Sequence, residues 1–377
     1  MKRIILAGVL FMILSIAAGA LWFSDFFSRT NNIPTLRDLT PTLQNQDAPR
    51  LTTIAQGLEV PWEIVFLPND LLLVTERAGR VIQINPQTGD KTVITTIAAV
   101  KQIGEGGLHG ITLHPNFAEN NYVYVYYTYA GQGNSTQNRV VRFTYENNTF
   151  SNEEIIVDAI PGASNHDGGR IAFGPDDYLY ITTGDAQEPS LAQTTSSQAG
   201  KILRVTDTGE AASDNPFNSR IYSYGHRNPQ GLCWDNTNQL FSTEHGPSGT
   251  ATGYDELNLI RPGINYGWPT IQGDETQQGM QTPLLQSGSQ DTWAPAGTAC
   301  MGSSVFFGGL RGNALYEAEI QGDAGELKTH LKGELGRIRA VVKGPDNMLY
   351  ISTSNKDGRG VPSIDDDKII RVNPTKL

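Results

Sequence analysis

Basic residues are scarce in this chain. Lysine and arginine number 28 against 39 aspartates and glutamates, a formal charge of −11. Phosphate binding needs a basic surface, so this shortage argues against nucleic acid as a partner. Cysteine is rarer still, and Cys233 and Cys300 allow one bridge at most. An oxidising compartment would permit that bridge, and two buried free thiols fit the sequence equally well. No long segment carries helical periodicity. In its place stand 40 glycines and 20 prolines, the composition of a β-protein with many turns. The 377 residues suffice for one large domain or two ordinary ones, with an ordinary apolar fraction of 38% to build a core.

The longest apolar run is N-terminal. Lys2 and Arg3 precede Ile4–Phe23, and Ala18-Gly19-Ala20 offers a cleavage site. At roughly 20 residues the run also suffices to cross a bilayer if uncut. Residues 1–23 therefore read as an export signal or a membrane anchor, and either places the folded part outside the cytoplasm. Residues 24–50 are polar, carry Pro34, Pro41 and Pro49, and read as a tether. Short apolar runs broken by Gly, Asn, Asp and Pro then fill residues 51–377. Asn134-Ser135-Thr136 and Asn147-Asn148-Thr149 match the N-glycosylation pattern.

A loose internal repeat decides the fold class. Phe66-Leu-Pro-Asn-Asp-Leu-Leu-Leu-Val-Thr, Phe173-Gly-Pro-Asp-Asp-Tyr-Leu-Tyr-Ile-Thr and Lys343-Gly-Pro-Asp-Asn-Met-Leu-Tyr-Ile-Ser are three copies. Each predicts a strand, a Pro-Asp or Pro-Asn turn and an alternating strand. Weaker copies begin at Leu113-His-Pro-Asn-Phe and Cys233-Trp-Asp-Asn-Thr, and Ser304–Tyr316 is a degraded sixth. Four-stranded blades with long loops account for the spacing, so the expected fold is an all-β, six-bladed β-propeller. Propellers place ligands on loops at the mouth of the central channel.

Four polar constellations fall in such loops. Ser164-Asn165-His166-Asp167-Gly168-Gly169-Arg170 sets a histidine at a strand end, where it could accept a hydroxyl proton near neutral pH; a lone loop histidine also fits a structural role. Tyr224-Gly225-His226-Arg227-Asn228-Pro229 offers a guanidinium and an amide to a planar anion, or a turn with a surface arginine. Glu244-His245-Gly246-Pro247 with Tyr254-Asp255-Glu256 crowds oxygen donors as a hard cation requires, though without EF-hand spacing; a solvated acidic loop is the alternative. In Gly336-Arg337-Ile338-Arg339, strand alternation aims both arginines one way, toward an anion or buried acidic partners.

These segments recur in order with Gly57-Leu58-Glu59-Val60-Pro61-Trp62, Gly104-Glu105-Gly106-Gly107-Leu108 and Asn265-Tyr266-Gly267-Trp268-Pro269. Together they resemble the glucose/sorbosone dehydrogenases that use pyrroloquinoline quinone (PQQ), in particular the aldose sugar dehydrogenase branch, over about residues 51–374. The resemblance implies oxidation of an aldose at its anomeric hydroxyl to a lactone, with PQQ and Ca2+ as cofactors and an external quinone or redox protein as electron acceptor. It implies His166 as general base and Arg227, Asn228, Tyr266, Arg337 and Arg339 as cofactor contacts. It further implies a calcium ion on the carbonyls of Gly246 and Pro247, and a second calcium position at Glu244 and Tyr254. Glu105 stands where the family usually offers Gln, and Arg311 where it usually has Lys; both are expected beside the cofactor. His109 and His114 read as structural.

Two rival functions carry different signatures. A calcium-dependent lactonase on the same fold would need the carboxylates and metal but not the arginines. A non-catalytic binding propeller should have lost His166 or the arginines, and this chain keeps them all.

Overall fold

Three stretches alike in sequence fold alike, because the same turn chemistry recurs. In Leu67–Leu71, Gly174–Tyr178 and Gly344–Met348 the first residue's N–H donates to the last residue's carbonyl, at 2.8, 2.9 and 2.8 Å. The fourth residue of each, Asp70, Asp177 or Asn347, sits in the left-handed region at φ 64, 61 and 57°. Asp and Asn tolerate that region better than other L-residues, and Pro presets the turn before them.

A computed structural model describes residues 47–247 and 253–377. The apolar run at 4–23 and nearly all of the tether at 24–50 lie outside the described residues. Among those described, no helix is long and apolar enough to cross a membrane. The propeller unit begins at Pro49.

Six antiparallel sheets of four strands each make up this unit, which is the expected six-bladed propeller. Blades 1 to 6 begin with the strands Pro61–Phe66, Leu108–Leu113, Ile171–Phe173, Cys233–Trp234, Pro295–Met301 and Ile338–Lys343. The first strand of blade 1 touches those of blades 2 and 6, and that of blade 5 touches those of blades 4 and 6, so first strands ring the axis. The ring is closed by Leu51–Ala55, which pairs with Ile369–Val372 as the outer strand of blade 6. One end of the chain is thereby stitched to the other, and no blade is left open.

The degraded sixth repeat needs a correction. Ser304–Tyr316 spans the second and third strands of blade 5, and the hairpin matching the others turns at Gly302, φ 62°. Blade 2 departs in another way, because a single helical turn, Phe117–Asn120, is inserted between its first two strands.

Apolar burial lies between the blades. Leu73, Val125 and Val141 seal blade 1 to blade 2, and Val140, Ile181 and Leu203 seal blade 2 to blade 3, each fully buried. Each such side chain contributes about 1.5–3 kcal/mol of transfer free energy. The second strands of blades 1, 3, 4 and 6 are buried along their whole length. Their ends are consequently fixed points from which loops project.

The cysteines form a disulfide, settling an alternative that the sequence left open, with a Cα–Cα distance of 5.6 Å. It joins the first strands of blades 4 and 5. Leu51 lies level with Val372 and Lys343, at the end of the first strand of blade 6 remote from Arg339. The chain thus enters on the face opposite the loops described next.

Candidate active site

Loops that lead into the first strands, and loops that leave the second strands, meet at one end of the axis. They enclose a cavity of about 690 Å³, a size suited to a small ligand. Every blade contributes to its wall, from Trp62 and Arg77 in blade 1 to Arg337, Arg339 and Arg359 in blade 6.

His166 reaches this cavity from the loop before blade 3, with a left-handed backbone at φ 63°. Glycine makes the loop possible: a Cβ on Gly184 would sit 1.8 Å from the His166 carbonyl, and one on Gly169 would sit 2.4 Å from His109 Nδ1. The imidazole is held from behind. Its Nδ1 lies 2.8 Å from Oδ1 of Asp185, which is wholly buried. Oδ1 also accepts the Gln187 N–H at 2.9 Å, and Oδ2 accepts Trp268 Nε1 at 2.8 Å. With the carboxylate accepting, the proton belongs on Nδ1 and Nε2 keeps a lone pair. Beside it Asp167 is buried, and burial raises its pKa to about 6.

The guanidiniums gather across the cavity. Arg337 and Arg339 share the Asp357 carboxylate, at 2.7 and 3.7 Å. Arg337 also donates to the Leu310 carbonyl at 2.9 Å, and Arg339 to Ser354 Oγ at 3.2 Å. Burial, then neighbouring Arg337 and Arg77, lowers Arg339 to about 10, so it stays charged at neutral pH. Burial alone would raise Asp357, but the two arginines outweigh it and hold the group below the usual carboxylate range. Arg227 donates to the His245 carbonyl at 3.2 Å and stands 5.4 Å from the Trp268 ring centre. Arg311 lines the cavity from the exposed end of blade 5.

Glu105 lines the same wall and bonds Arg359, which also donates to Asn165 Oδ1 at 3.3 Å. Burial would raise this carboxyl, yet His245, Arg359 and Arg339 together depress it. The Glu105 charge is therefore compensated within the protein.

Gly246 and Pro247 line the cavity. The Gly246 N–H is tied to Asp255 Oδ1 at 2.9 Å, while Asp255 Oδ2 gathers Thr292, Trp293 and Ala294 from blade 5. Among the described residues no donor meets the carbonyl of Gly246 or Pro247, and no cluster of three His, Cys, Asp or Glu forms a metal centre.

Four expected site residues lie elsewhere. Tyr266 is packed against His226 at 4.8 Å, its hydroxyl spent on the Leu259 carbonyl at 2.6 Å, so it supports the wall without facing the cavity. Asn228 is fully buried behind Arg227, and its Oδ1 accepts the Gly168 N–H at 3.0 Å. Arg227 and Gln230 of the same turn line the cavity, and Asn228 does not. The Glu244 carboxylate accepts from His226 Nδ1 at 2.8 Å and from the Arg227 N–H, an internal brace with both oxygens engaged. Tyr254 does not line the cavity; its carbonyl packs against Gly246, where an added Cβ would meet it at 2.4 Å. Of the two histidines read as structural, His114 packs on Tyr124 and Phe173 away from the cavity, whereas His109, stacked between Trp62 and Tyr126, also lines it.

Sequence reasoning missed Arg77, Asp185, Asp357 and Arg359. The first three share a signal, since each closely follows the end of a second strand, Leu72–Glu76, Leu179–Thr183 or Leu349–Thr353.

Comparison with known proteins gives a consistent result. The glucose/sorbosone dehydrogenase family matches residues 58–369. Aldose sugar dehydrogenase YliI of Escherichia coli K12 is 30% identical over 333 residues, covering 80% of this chain and 89% of that protein. Quinoprotein glucose dehydrogenase B of Acinetobacter calcoaceticus is 34% identical, over 60% of this chain and 53% of that protein. The PQQ-bound aldose sugar dehydrogenase of Streptomyces coelicolor superimposes with a TM-score of 0.80 at 40% identity, covering 86% of this chain and 98% of that one.

Proposed function

The chain belongs to the glucose/sorbosone dehydrogenase family, and from that premise we propose a quinoprotein aldose dehydrogenase that uses PQQ and calcium to oxidise the anomeric hydroxyl to a lactone. One observation carries the reading: a histidine backed by a buried carboxylate shares a cavity with six guanidiniums and only four carboxylates.

The residues fit the cofactor. PQQ carries three carboxylates, and a cavity with a cationic excess, four of whose six arginines are buried, is a suitable receptor for them. Arg337 and Arg339 would hold it from blade 6, Arg227 from blade 4 and Arg311 from blade 5. Glu105, already paired with Arg359, adds no uncompensated repulsion. When bound, PQQ supplies the two-electron oxidant for the hydride leaving sugar C1. The carbonyls of Gly246 and Pro247 are hard oxygen donors with no protein partner among the described residues, so they would hold calcium, which supplies Lewis-acid polarisation there.

The protein's own part is a proton transfer. His166 Nε2 would take the C1 hydroxyl proton as the hydride departs. Asp185 holds the productive tautomer and stabilises the imidazolium that forms. Trp268 and the Gln187 N–H keep Asp185 from turning away.

The same proposal includes an external electron acceptor, a quinone or redox protein, and a propeller domain (51–377) outside the cytoplasm, behind a signal or anchor and a tether. The apolar run at 4–23 supports export, and the Cys233–Cys300 bridge suits an oxidising compartment.

Purified protein given PQQ and calcium should reduce a dye acceptor when an aldose is added. Omitting PQQ, or substituting His166→Ala, should abolish the signal. No PQQ binding by titration would reject the reading.

A further inference from the structure

Among the described residues, Arg77 is a buried cation of the cavity with no carboxylate in salt-bridge contact. Arg77 follows the second strand of blade 1 and is 8% exposed. Its main chain is fixed on both sides: its N–H donates to the Val60 carbonyl at 3.2 Å, and its own carbonyl accepts from Leu108 at 2.9 Å. Its guanidinium makes one bond, Nη2 to the Asp357 carbonyl at 3.4 Å, the long limit of a hydrogen bond. Nε is buried with no partner, and among the described residues no carboxylate lies within salt-bridge distance.

Burying a guanidinium with no ion pair is costly, and three other buried arginines each have a carboxylate partner. Arg170 has Glu63, Arg204 has Asp176 and Asp214, and Arg337 has Asp357. Around Arg77, burial lowers its pKa; Asp357 and Glu105 attract it from beyond ion-pair contact, and the cations Arg359 and Arg337 offset part of that attraction. The fold also makes room for it. Gly107 has φ 154°, and a Cβ there would stand 2.2 Å from the Arg77 carbonyl and 2.7 Å from its Cγ. The glycine-rich loop that carries Glu105 is thus shaped around the Arg77 stem.

We infer that Arg77 is an anion receptor of the cavity, supplied by blade 1, whose ligand is a carboxylate. Within the proposed function two acids could present one: the cofactor itself, or an acidic sugar such as a uronate. Arg77 would close the free gap in its donor set on that group, much as Asp357 serves Arg337.

Binding to the full chain decides it. Wild type, Arg77→Met and Arg77→Lys are titrated calorimetrically with PQQ plus calcium, and with benzene-1,3,5-tricarboxylate alone. The kcat/KM ratio of a uronate to its neutral aldose is measured alongside. Loss of one charge-assisted contact predicts a PQQ Kd about ten- to hundredfold weaker in Arg77→Met, partly restored in Arg77→Lys. That outcome assigns the cofactor as the source. An unchanged PQQ Kd with the uronate ratio down about tenfold or more assigns the sugar. Wild type failing to bind PQQ rejects the functional reading, and the tricarboxylate then decides Arg77 by the same fold-change. Arg77→Met with a native melting temperature, acid affinities within about twofold of wild type and an unmoved uronate ratio would overturn the inference.

Discussion

Replacing Asp185 by asparagine preserves the shape of the side chain while exchanging one acceptor for an NH2 group. Both carboxylate oxygens are engaged, Oδ1 by His166 and the Gln187 N–H, Oδ2 by Trp268. The site is fully buried, so water cannot repair a mismatch. If the new NH2 faces Trp268, two donors oppose each other, at about 1–3 kcal/mol for the orphaned group. If it faces His166, it must donate to Nδ1, the ring proton moves to Nε2, and the nitrogen on the cavity side is no longer a base. The imidazolium formed in turnover also loses a charged hydrogen bond of about 1.5–3 kcal/mol. Together these amount to about 3–5 kcal/mol, or roughly 10²–10⁴ in kcat, the span that general-base catalysis commonly contributes. Single-turnover reduction of bound PQQ on mixing with aldose reads this step directly. The cofactor Kd and the KM for aldose should stay within about threefold, since Asp185 touches neither ligand in this reading. Asp185→Asn with kcat within about threefold of wild type would refute the assignment of Asp185 as the residue that sets the tautomer.

Three further outcomes follow from other parts of the molecule. Cys233→Ser with Cys300→Ser should lower the melting temperature, because the bridge closes a 67-residue separation worth about 2–4 kcal/mol; dye reduction at 25 °C should be unchanged, and activity lost without a shift in melting would contradict this. Arg170→Met leaves Glu63 buried, 6% exposed and unpaired, at about 3–5 kcal/mol by urea unfolding. Adding Glu63→Gln should recover most of it, and a double variant as unstable as the single one would count against the pair. Asp167 titrates at about 6 when folded against about 3.9 unfolded. A raised carboxyl favours folding below its unfolded pKa and withdraws that support as pH rises through its folded value. Relative to Asp167→Asn, wild type should therefore lose about 2.5 kcal/mol between pH 3.5 and 7; parallel stability curves would show that Asp167 titrates normally.

The propeller was legible because its evidence is local. Leu67–Leu71, Gly174–Tyr178 and Gly344–Met348 each contain the Pro and the Asp or Asn that their turn needs, so three blades announce themselves within ten residues apiece. Blade 5 turns at Gly302 with neither residue, and its start was misplaced for that reason. Site residues divide along a similar line. His166 and Arg337 precede first strands and Arg339 is the second residue of one, and the apolar runs of those strands mark where the loop ends, so their place at the mouth could be read. Asn228, Glu244 and Tyr266 belong to the same motifs yet face away, because a motif shows that polar residues are needed and not which of them brace the others. Glu244 holds the Arg227 backbone, and Asn228 holds Gly168 beside His166. Conversely Arg77, Asp185 and Asp357 sit in unremarkable sequence and reach the centre only because the ring closes. The pairing of Leu51 with Val372 fixes blade 6 beside blade 1, which brings Asp357 to Arg77 across 280 residues. Their function depends on blade geometry more than on sequence neighbours, so the productive places to look for further site residues in such a chain are the positions just after each second strand.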